Sequence, residues 1–250
     1  MRQSEGFRFK QFYVRHDRCA MKVGTDGVLL GAWAPIQDFK FRISNFKFTI
    51  LDVGTGCGLI ARMLMQRCEQ AAIEAEVEGI DIDEAAILQA RENGVNAYLS
   101  SLQDWGVMAK GEGAKGEGYD LIVSNPPYFV NSLKNPDEQR RTARHTDSLS
   151  YEELIVHSVR LLKPNGLLAL IVPADAEEEI RQLAQINGLC LAHATRVYSK
   201  EGKKPKRVLM AFQFKISNFK SQIVEDSLVL ENEHGGRSEA YQELTKDFYL

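Results

Sequence analysis

Short apolar runs alternate along the chain with longer segments in which apolar residues recur every three or four positions. The short runs are typical of buried strands, whereas the three-to-four-residue period is typical of amphipathic helices. Regular alternation of the two from residue 48 onward predicts βαβ units around a parallel sheet, and so an α/β fold. The predicted strands are residues 48–53, 73–82, 119–124, 167–173, 189–197 and 207–216. The predicted helices are residues 59–68, 84–94, 151–163 and 175–187.

The composition narrows the class of protein. At 250 residues the chain is long enough for one main domain. Its apolar runs all fall short of the roughly 20 residues that span a bilayer. The opening residues are charged and lack an apolar secretory segment, so a cytoplasmic protein without a membrane span is expected. The four cysteines are scattered, which predicts neither a disulfide framework nor a metal site.

Lysine and arginine residues gather in three places, although the formal net charge is −3. That net charge argues against nonspecific coating of nucleic acid, but a local cluster can still contact phosphates. Solvated surface charge explains each cluster equally well when it is taken alone. The clusters are Arg8, Lys10, Arg15, Arg18 and Lys22; Lys134, Arg140, Arg141, Arg144 and His145; and Lys200, Lys203, Lys204, Lys206 and Arg207.

The segment LDVGTGCGL, residues 51–59, places three glycines between a predicted strand and a predicted helix. Glycine allows a tight turn and lets a ligand lie against the backbone, while the free N–H groups of the helix start favour electron-rich groups. The turn therefore predicts a nucleotide-like ligand. Its fit to the nicotinamide and flavin fingerprint is imperfect, because Leu59 stands at the position of the third glycine and Asp52 precedes the first.

The segment SNPPYF, residues 124–129, directly follows a predicted buried strand. In open α/β folds, ligands bind at the edge where the parallel strands end. Pro127 forces Pro126 into an extended conformation and supplies no N–H, so the carbonyls of this turn are fixed and locally unpaired. The side-chain oxygen of Asn125 and the carbonyl of Pro126 then form two acceptors for one planar NH2 group, and the Tyr128 ring can stack on the group that carries it. These four residues are the predicted catalytic residues.

The pattern D-x-G-x-G-x-G at residues 52–58 resembles the first motif of class I S-adenosylmethionine-dependent methyltransferases. The sequence N-P-P-Y at residues 125–128 resembles the fourth motif of methyltransferases that act on planar amines. Further stretches extend the likeness, over nearly the whole chain, to the bacterial tRNA1(Val) (adenine(37)-N6)-methyltransferase family; these are residues 7–33, 140–155, 163–166, 204–210 and 244–250. The chain departs from that family in a glycine-rich stretch at 109–120 and in two similar segments at 39–50 and 212–223, which resemble local insertions.

The resemblance implies a Rossmann-like class I methyltransferase fold, with a mostly parallel seven-stranded sheet and helices on both faces. It implies N6-methylation of adenine 37 in tRNA1(Val), with S-adenosylmethionine as cofactor and no metal. The enzyme is expected to be a monomer that binds the anticodon arm of valine tRNA. Residues 1–35 are expected to form a lid segment, residues 36–220 the methyltransferase core, and residues 221–250 an extension packed on the core.

The resemblance also implies roles for single residues. Asp81 lies about 20 residues beyond the glycines and is expected at the ribose hydroxyls, with Asp83 as its competitor. Asp104 is expected at the adenine amino group of the cofactor, beside Trp105 or Leu102. The expected cofactor-binding residues are Thr25, Asp26, Asp52, Gly54, Gly56, Gly58, Asp81, Asp83, Asp104 and Asn125. The expected RNA-binding residues are Lys10, Arg140, Arg141, Arg144, Lys203, Lys204, Lys206 and Arg207.

Several alternatives remain open at this level. A glutamine methyltransferase acting on a release factor or ribosomal protein uses the same N-P-P-Y motif, and a guanine N2-methyltransferase of ribosomal RNA is another possibility. A nonenzymatic RNA-binding protein with this fold is disfavoured, because a binding module has no need for Asp52, Asp81 and Asn125 together. The pair Thr25 and Asp26 is explained equally well by a turn before a helix.

Overall fold

The structure is a computed structural model that describes residues 5–36, 47–108, 118–127, 149–215 and 223–250. The described strands are β1 (Gly6–Arg8), β2 (Tyr13–Arg15), β3 (Phe48–Val53), β4 (Ala75–Asp81), β5 (Asn96–Leu99), β6 (Tyr119–Ser124), β7 (Leu162–Pro173), β8 (Leu189–Tyr198), β9 (Arg207–Phe214) and β10 (Val224–Val229). The described helices are α1 (Thr25–Trp33), α2 (Leu59–Gln70), α3 (Glu84–Glu92), α4 (Leu102–Met108), α5 (Tyr151–Leu161), α6 (Glu177–Ile186) and α7 (Glu239–Thr245). None of these helices is long and apolar enough to cross a membrane.

The main sheet has the order β10-β8-β9-β7-β6-β3-β4-β5, and only β9 runs antiparallel to its neighbours. The mostly parallel α/β fold is thus confirmed, but the sheet has eight strands among the described residues rather than seven. The additional strand, β10, comes from the stretch expected to be an extension, and it pairs in parallel with β8 at the edge of the sheet. Its first four residues are exposed, so the apolar run that marks a buried strand is missing there.

Helices cover both faces of the sheet, which explains why its central strands are almost continuously apolar. Neighbouring residues of a strand point to opposite faces. Accordingly, Ile50 packs with α1, α2 and α3, whereas Leu51 packs with α4, α5 and α6. The same division separates Val123 from Ile122 in β6. Each face therefore has its own core, with the strands shared between them.

Some predicted boundaries differ from the structure. Helix α5 ends at Leu161, and β7 begins at once, five residues before the predicted start at Leu167. The prediction ended the helix at Pro164 and Gly166, but these residues lie inside the strand, where its register with β6 shifts between Leu162 and Leu167. Strand β5 and helix α4 were not predicted, since both are short. The glycine-rich stretch and most of the two similar segments fall outside the described residues.

The two ends of the chain pack together against the core. A third apolar cluster joins Phe9 and Phe12 near the start of the chain to Phe248 near its end. The backbone N–H of Lys10 donates to the carbonyl of Phe248 at 2.8 Å. Helices α1 and α2 support this cluster through Val28 and Met63.

Three neighbouring strands end side by side at the edge where their carboxyl termini meet. In the sheet register Val53 of β3 pairs with Ile80 of β4 and with Ser124 of β6. The Ser124 hydroxyl donates to the Val53 carbonyl at 2.9 Å, which ties two of these ends together. From β3 the chain runs to β4 on one side, while β6 lies on the other, and ligands bind at such a switch point.

Candidate active site

The glycine turn after β3 adopts a backbone that only glycine tolerates without strain. Gly54, Gly56 and Gly58 all have positive φ, at +70°, +54° and +80°. A Cβ atom added to Gly58 would lie 2.7 Å from a methyl carbon of Val95, so Gly58 allows close packing. A Cβ atom at Gly54 or Gly56 would have no neighbour within 4 Å among the residues that the structure describes. The first two glycines therefore leave an open backbone face at the edge of the sheet.

Asp52 lies beneath this turn, fully buried, and holds it to the following helix. Its Oδ2 accepts the Thr55 hydroxyl at 2.7 Å and the Ala61 backbone N–H at 3.2 Å. Its Oδ1 is buried without a hydrogen-bond partner in the described part of the chain. Burial is the main cause that raises the pKa of Asp52 to about 7.

This raised pKa predicts a pH dependence of stability. An acid whose pKa is raised by folding stabilises the native state below its ordinary pKa of 3.8 and loses that contribution as pH rises toward 7. The loss is on the order of 4 kcal/mol, since roughly three pH units separate 3.8 from 7 and each corresponds to about 1.4 kcal/mol. Asparagine does not titrate, so Asp52→Asn lacks this loss. We therefore expect the unfolding free energy of Asp52→Asn minus that of wild type to increase from pH 4 to pH 8. Urea denaturation across this range measures the difference, and a constant difference would contradict the prediction.

Asp81 and Asp83 have different tasks in the structure. Asp81 ends β4, and its Oδ2 accepts the Gly56 N–H at 2.9 Å while its Oδ1 accepts the Asp83 N–H at 3.0 Å. Asp83 is the N-cap of α3, where its side chain accepts the Ala85 N–H at 2.8 Å. Asp81 is therefore joined directly to the glycine turn, whereas the carboxylate of Asp83 serves the helix.

The region of Asp104 combines an exposed acid with buried apolar side chains. Asp104 lies in the first turn of α4, just beyond the end of β5, and accepts the Ser101 hydroxyl at 2.7 Å. Leu102 and Trp105 are buried in the core, and the Trp105 indole donates to the Tyr119 hydroxyl at 2.9 Å. Both apolar side chains thus contribute mainly to the core, and only Asp104 is open to a ligand.

Asn125 lies directly after β6, beside the end of β3 and its glycine turn. Its Oδ1 is buried and has no hydrogen-bond partner among the described residues, while its Nδ2 lies 3.8 Å from the sulfur of Met21. Pro126 is buried and Pro127 is exposed. Tyr128, the fourth predicted catalytic residue, lies outside the described residues. The described part of the site therefore offers an unpartnered acceptor on the same edge as the glycine turn.

Comparison with known proteins agrees with this geometry. Residues 37–194 match the family model described as "Methyltransferase small domain". The chain is 44% identical to the tRNA1(Val) (adenine(37)-N6)-methyltransferase of Phocaeicola vulgatus, over 98% of this chain and 97% of that protein. It is 38% identical to the protein of the same name from Pectobacterium carotovorum, over 98% of this chain and 94% of that protein.

The chain belongs to the tRNA1(Val) (adenine(37)-N6)-methyltransferase family. It also has the fold of a solved structure of a predicted O-methyltransferase from Agrobacterium tumefaciens, with a TM-score of 0.60 at 16% identity, covering 89% of this chain and 96% of the other. The protein is thus an S-adenosylmethionine-dependent methyltransferase with the Rossmann-like class I fold.

The described residues fit the cofactor of this family. The open backbone face at Gly54 and Gly56 leaves room for a ligand against the turn. Asp81 adds a carboxylate whose position is fixed by two backbone N–H groups. The Oδ1 atoms of Asp52 and Asn125 are buried acceptors without a partner in the ranges that the structure describes. Such atoms carry a cost of about 1–3 kcal/mol that a hydrogen-bonding ligand removes.

The expected lid pair begins α1. Thr25 is exposed in the first turn of this helix, and the Asp26 carboxylate accepts the Nε–H of Arg207 at 3.0 Å. Arg207 begins β9, so this ion pair links the start of α1 to the strand edge near Asn125. The sequence assigned Asp26 to the cofactor and Arg207 to RNA, and it gave no indication that the two residues pair.

The other predicted RNA-binding residues fall into three groups. Lys203, Lys204 and Lys206 are exposed on the connection from β8 to β9, at the same edge of the sheet as Asn125. Lys10 is exposed, and its ammonium group donates to the carbonyl of Lys246 just after α7. The remaining three, Arg140, Arg141 and Arg144, lie outside the described residues.

Sequence reasoning missed several side chains that shape the site. The Thr55 hydroxyl fixes Asp52, and Gly79 makes room for it, since a Cβ there would lie 2.7 Å from the Thr55 oxygen. Asn93 is buried and donates to the carbonyl of Cys57 at 2.8 Å. Thr55 and Gly79 lie beside predicted motifs, but no pattern in the sequence indicates the role of Asn93.

Proposed function

We propose that the protein transfers the methyl group of S-adenosylmethionine to N6 of adenine 37 in tRNA1(Val). The observation that carries this proposal is the Oδ1 of Asn125 beside the glycine turn, which is buried and has no hydrogen-bond partner within the described part of the chain. The names of the relatives support the choice of substrate. We include in the proposal a monomeric enzyme, located in the cytoplasm with its substrate, in which the lid segment at residues 1–35 and the extension at residues 221–250 pack on the core.

Asn125 and Pro126 are the residues proposed to activate the target amine. The amine of adenine is a weak nucleophile because its lone pair is delocalised into the ring. Oδ1 of Asn125 and the carbonyl of Pro126 accept its two hydrogens, which stabilises the positive charge that develops on nitrogen in the transition state. When bound, S-adenosylmethionine supplies a sulfonium methyl group that is open to in-line displacement. The proton leaves the methylated nitrogen late, to water, so this site needs no strong base.

The cofactor is proposed to lie against the open face of Gly54 and Gly56. Asp81 accepts hydrogen bonds from the ribose hydroxyls. Each of its oxygens already accepts one backbone N–H and has a second lone pair left for a hydroxyl. Asp104 is proposed to accept from the adenine amino group of the cofactor, supported by its exposure at the start of α4. Asp52 acts from beneath the turn, where it holds Thr55.

The anticodon arm is proposed to bind along the edge that carries Asn125. Lys203, Lys204 and Lys206 supply phosphate contacts, supported by their exposure on the connection between β8 and β9. Arg207 is proposed to contribute while it remains paired with Asp26. Adenine 37 leaves the base stack to reach Asn125, as in other enzymes that modify a base.

Methyl transfer to defined acceptors tests this function. Purified protein is incubated with tritiated S-adenosylmethionine and either unmodified tRNA1(Val) transcript, the same transcript with guanine at position 37, or a purified release factor. We expect label only in the first transcript, with N6-methyladenosine found by mass spectrometry of its nucleosides. Label in the release factor alone would reject the tRNA substrate and favour the glutamine methyltransferase alternative. Equal label in both transcripts would reject position 37.

A further inference from the structure

Residues 15–26, here called the strap, cross the carboxyl edge of the sheet between two anchors. The first anchor is on α3. The Asn93 side chain at its C-cap exchanges two hydrogen bonds with the backbone of Arg15, at 2.9 and 2.8 Å. Gln89, fully buried, accepts the Arg18 N–H at 3.1 Å and donates to the Asp17 carboxylate at 2.8 Å. Buried amides with partners on both groups hold a segment in one position.

The second anchor of the strap is on β9. It is the ion pair between Asp26 and Arg207, at 3.0 Å, with less than a third of either side chain exposed. Between the anchors, the Val23 N–H donates to Nδ1 of the buried His16 at 3.2 Å and closes the turn that carries residues 17–22. The strap therefore spans from the helix after Asp81 to the strand near Asn125, and its path is fixed at both ends.

Met21 lies on this fixed segment and reaches the predicted catalytic amide. Its side chain is 54% exposed, although methionine is an apolar residue that usually packs inside. Its sulfur lies 3.8 Å from Nδ2 of Asn125, across 104 positions of sequence. With Nδ2 directed at Met21, Oδ1 of the same amide is left as an acceptor that no described residue partners.

We propose that Met21 forms the second wall of the slot that receives the target base and contacts the ring of that base directly. Asn125 and Pro126 form the wall on the core, and the strap brings Met21 to it. This inference rests on the proposed function, since it takes the ligand of the slot to be a flat base carrying an NH2 group.

The chemistry of a thioether suits this position. A methionine side chain is unbranched and polarizable, and its sulfur interacts favourably with aromatic rings, by about 0.3–1.5 kcal/mol. Sulfur is also a weak hydrogen-bond acceptor, so its contact with Nδ2 fixes the amide without competing with a strong acceptor such as Oδ1. Met21 thus stabilises the base on its flat side and leaves the choice of an NH2 group to Asn125.

Kinetics with substitutions of Met21 test the inference. Met21→Ala, Met21→Leu and the control Ile186→Ala are compared with wild type on unmodified tRNA1(Val) transcript. Ile186 is 79% exposed at the end of α6, on the opposite edge of the sheet. We expect Met21→Ala to lower kcat/KM for the transcript about five- to tenfold, which lies in the upper part of the range that corresponds to loss of one sulfur–ring contact. Met21→Leu keeps an apolar side chain of similar size but loses the sulfur, so its kcat/KM is expected to fall between those of Met21→Ala and wild type. Ile186→Ala is expected to stay within twofold of wild type.

Two further measurements separate contact with the base from a structural role. Calorimetry is expected to give the same S-adenosylmethionine affinity for Met21→Ala and wild type, and their thermal unfolding midpoints are expected to agree. A transcript with 2-aminopurine at position 37 is expected to gain fluorescence on binding wild type, and to gain less on binding Met21→Ala.

The possible outcomes are distinct. If Met21→Ala matches Ile186→Ala in kcat/KM, or if cofactor affinity falls in parallel with kcat/KM, the inference is wrong. If wild type does not label the transcript, the proposed function is wrong and this inference falls with it. An active wild type beside an unimpaired Met21→Ala overturns the inference alone.

Discussion

Asn125→Ala is expected to lower kcat about 100- to 1,000-fold, which is the loss seen when one preorganised group that stabilises transition-state charge is removed. The amide oxygen of Asn125 is unpartnered among the described residues, so its substitution breaks no hydrogen bond between that oxygen and any of them. S-adenosylmethionine affinity is therefore expected to stay nearly unchanged. Steady-state methylation of tRNA1(Val) transcript at saturating substrate gives kcat, and calorimetry gives the affinity.

Asn187→Ala is the matched control for this substitution. Asn187 is the C-cap of α6, and its amide donates to the Leu183 carbonyl at 2.8 Å, on the edge of the sheet opposite Asn125. We expect this variant to lose a little stability and to keep its kcat. Loss of both kcat and cofactor affinity in Asn125→Ala would indicate disturbed folding rather than a catalytic role. An unchanged kcat would remove Asn125 from the reaction.

Gly56→Ala is expected to weaken S-adenosylmethionine binding about 10- to 100-fold, the effect of an added methyl group in a fitted contact that costs about 1–3 kcal/mol. The Cβ atom would enter the space above the glycine turn, where no atom of a described residue lies within 4 Å. The backbone there has φ +54°, so alanine also costs about 1–2 kcal/mol of stability. Calorimetry measures the affinity, and urea denaturation measures the unfolding free energy.

Gly188→Ala separates these two effects. Gly188 has φ +81° with no atom within 4 Å of its added Cβ, and it follows α6 at the opposite edge of the sheet. We expect the same loss of stability as in Gly56→Ala, without any change in cofactor affinity. Equal cofactor affinities in the two variants would show that the open face at Gly56 is not the cofactor site.

The elements of the core could be predicted because their local pattern follows from burial. Strands β3, β6 and β7 are covered on both faces, so each contains a short, mostly apolar run. The glycines at 54, 56 and 58 were readable because only glycine adopts positive φ readily at three positions in one turn. Strand β10 was missed for the opposite reason, since it is an edge strand with mostly exposed residues.

The separate roles of the aspartates could be assigned only from the structure. Asp81 and Asp83 are two positions apart, and either one fits the expected spacing from the glycines. Their hydrogen bonds separate them, because Asp81 accepts the N–H of Gly56 while Asp83 caps α3. The position of Asp52 was also only partly predictable. The sequence indicated a carboxylate near the cofactor, whereas its burial and its hydrogen bond with Thr55 were visible only in the structure.

The sequence by itself determined the α/β fold, the glycine turn, the N-P-P corner at the end of β6 and the family. These features depend on residues close together in the chain, where spacing and backbone preference leave a readable pattern. Only the tertiary structure decided that Gln89 and Asn93 anchor the strap, that Asp26 pairs with Arg207, and that Met21 reaches Asn125. These contacts join residues about 70 to 180 positions apart, and polar partners at such distances are chosen by the path of the chain rather than by any local pattern.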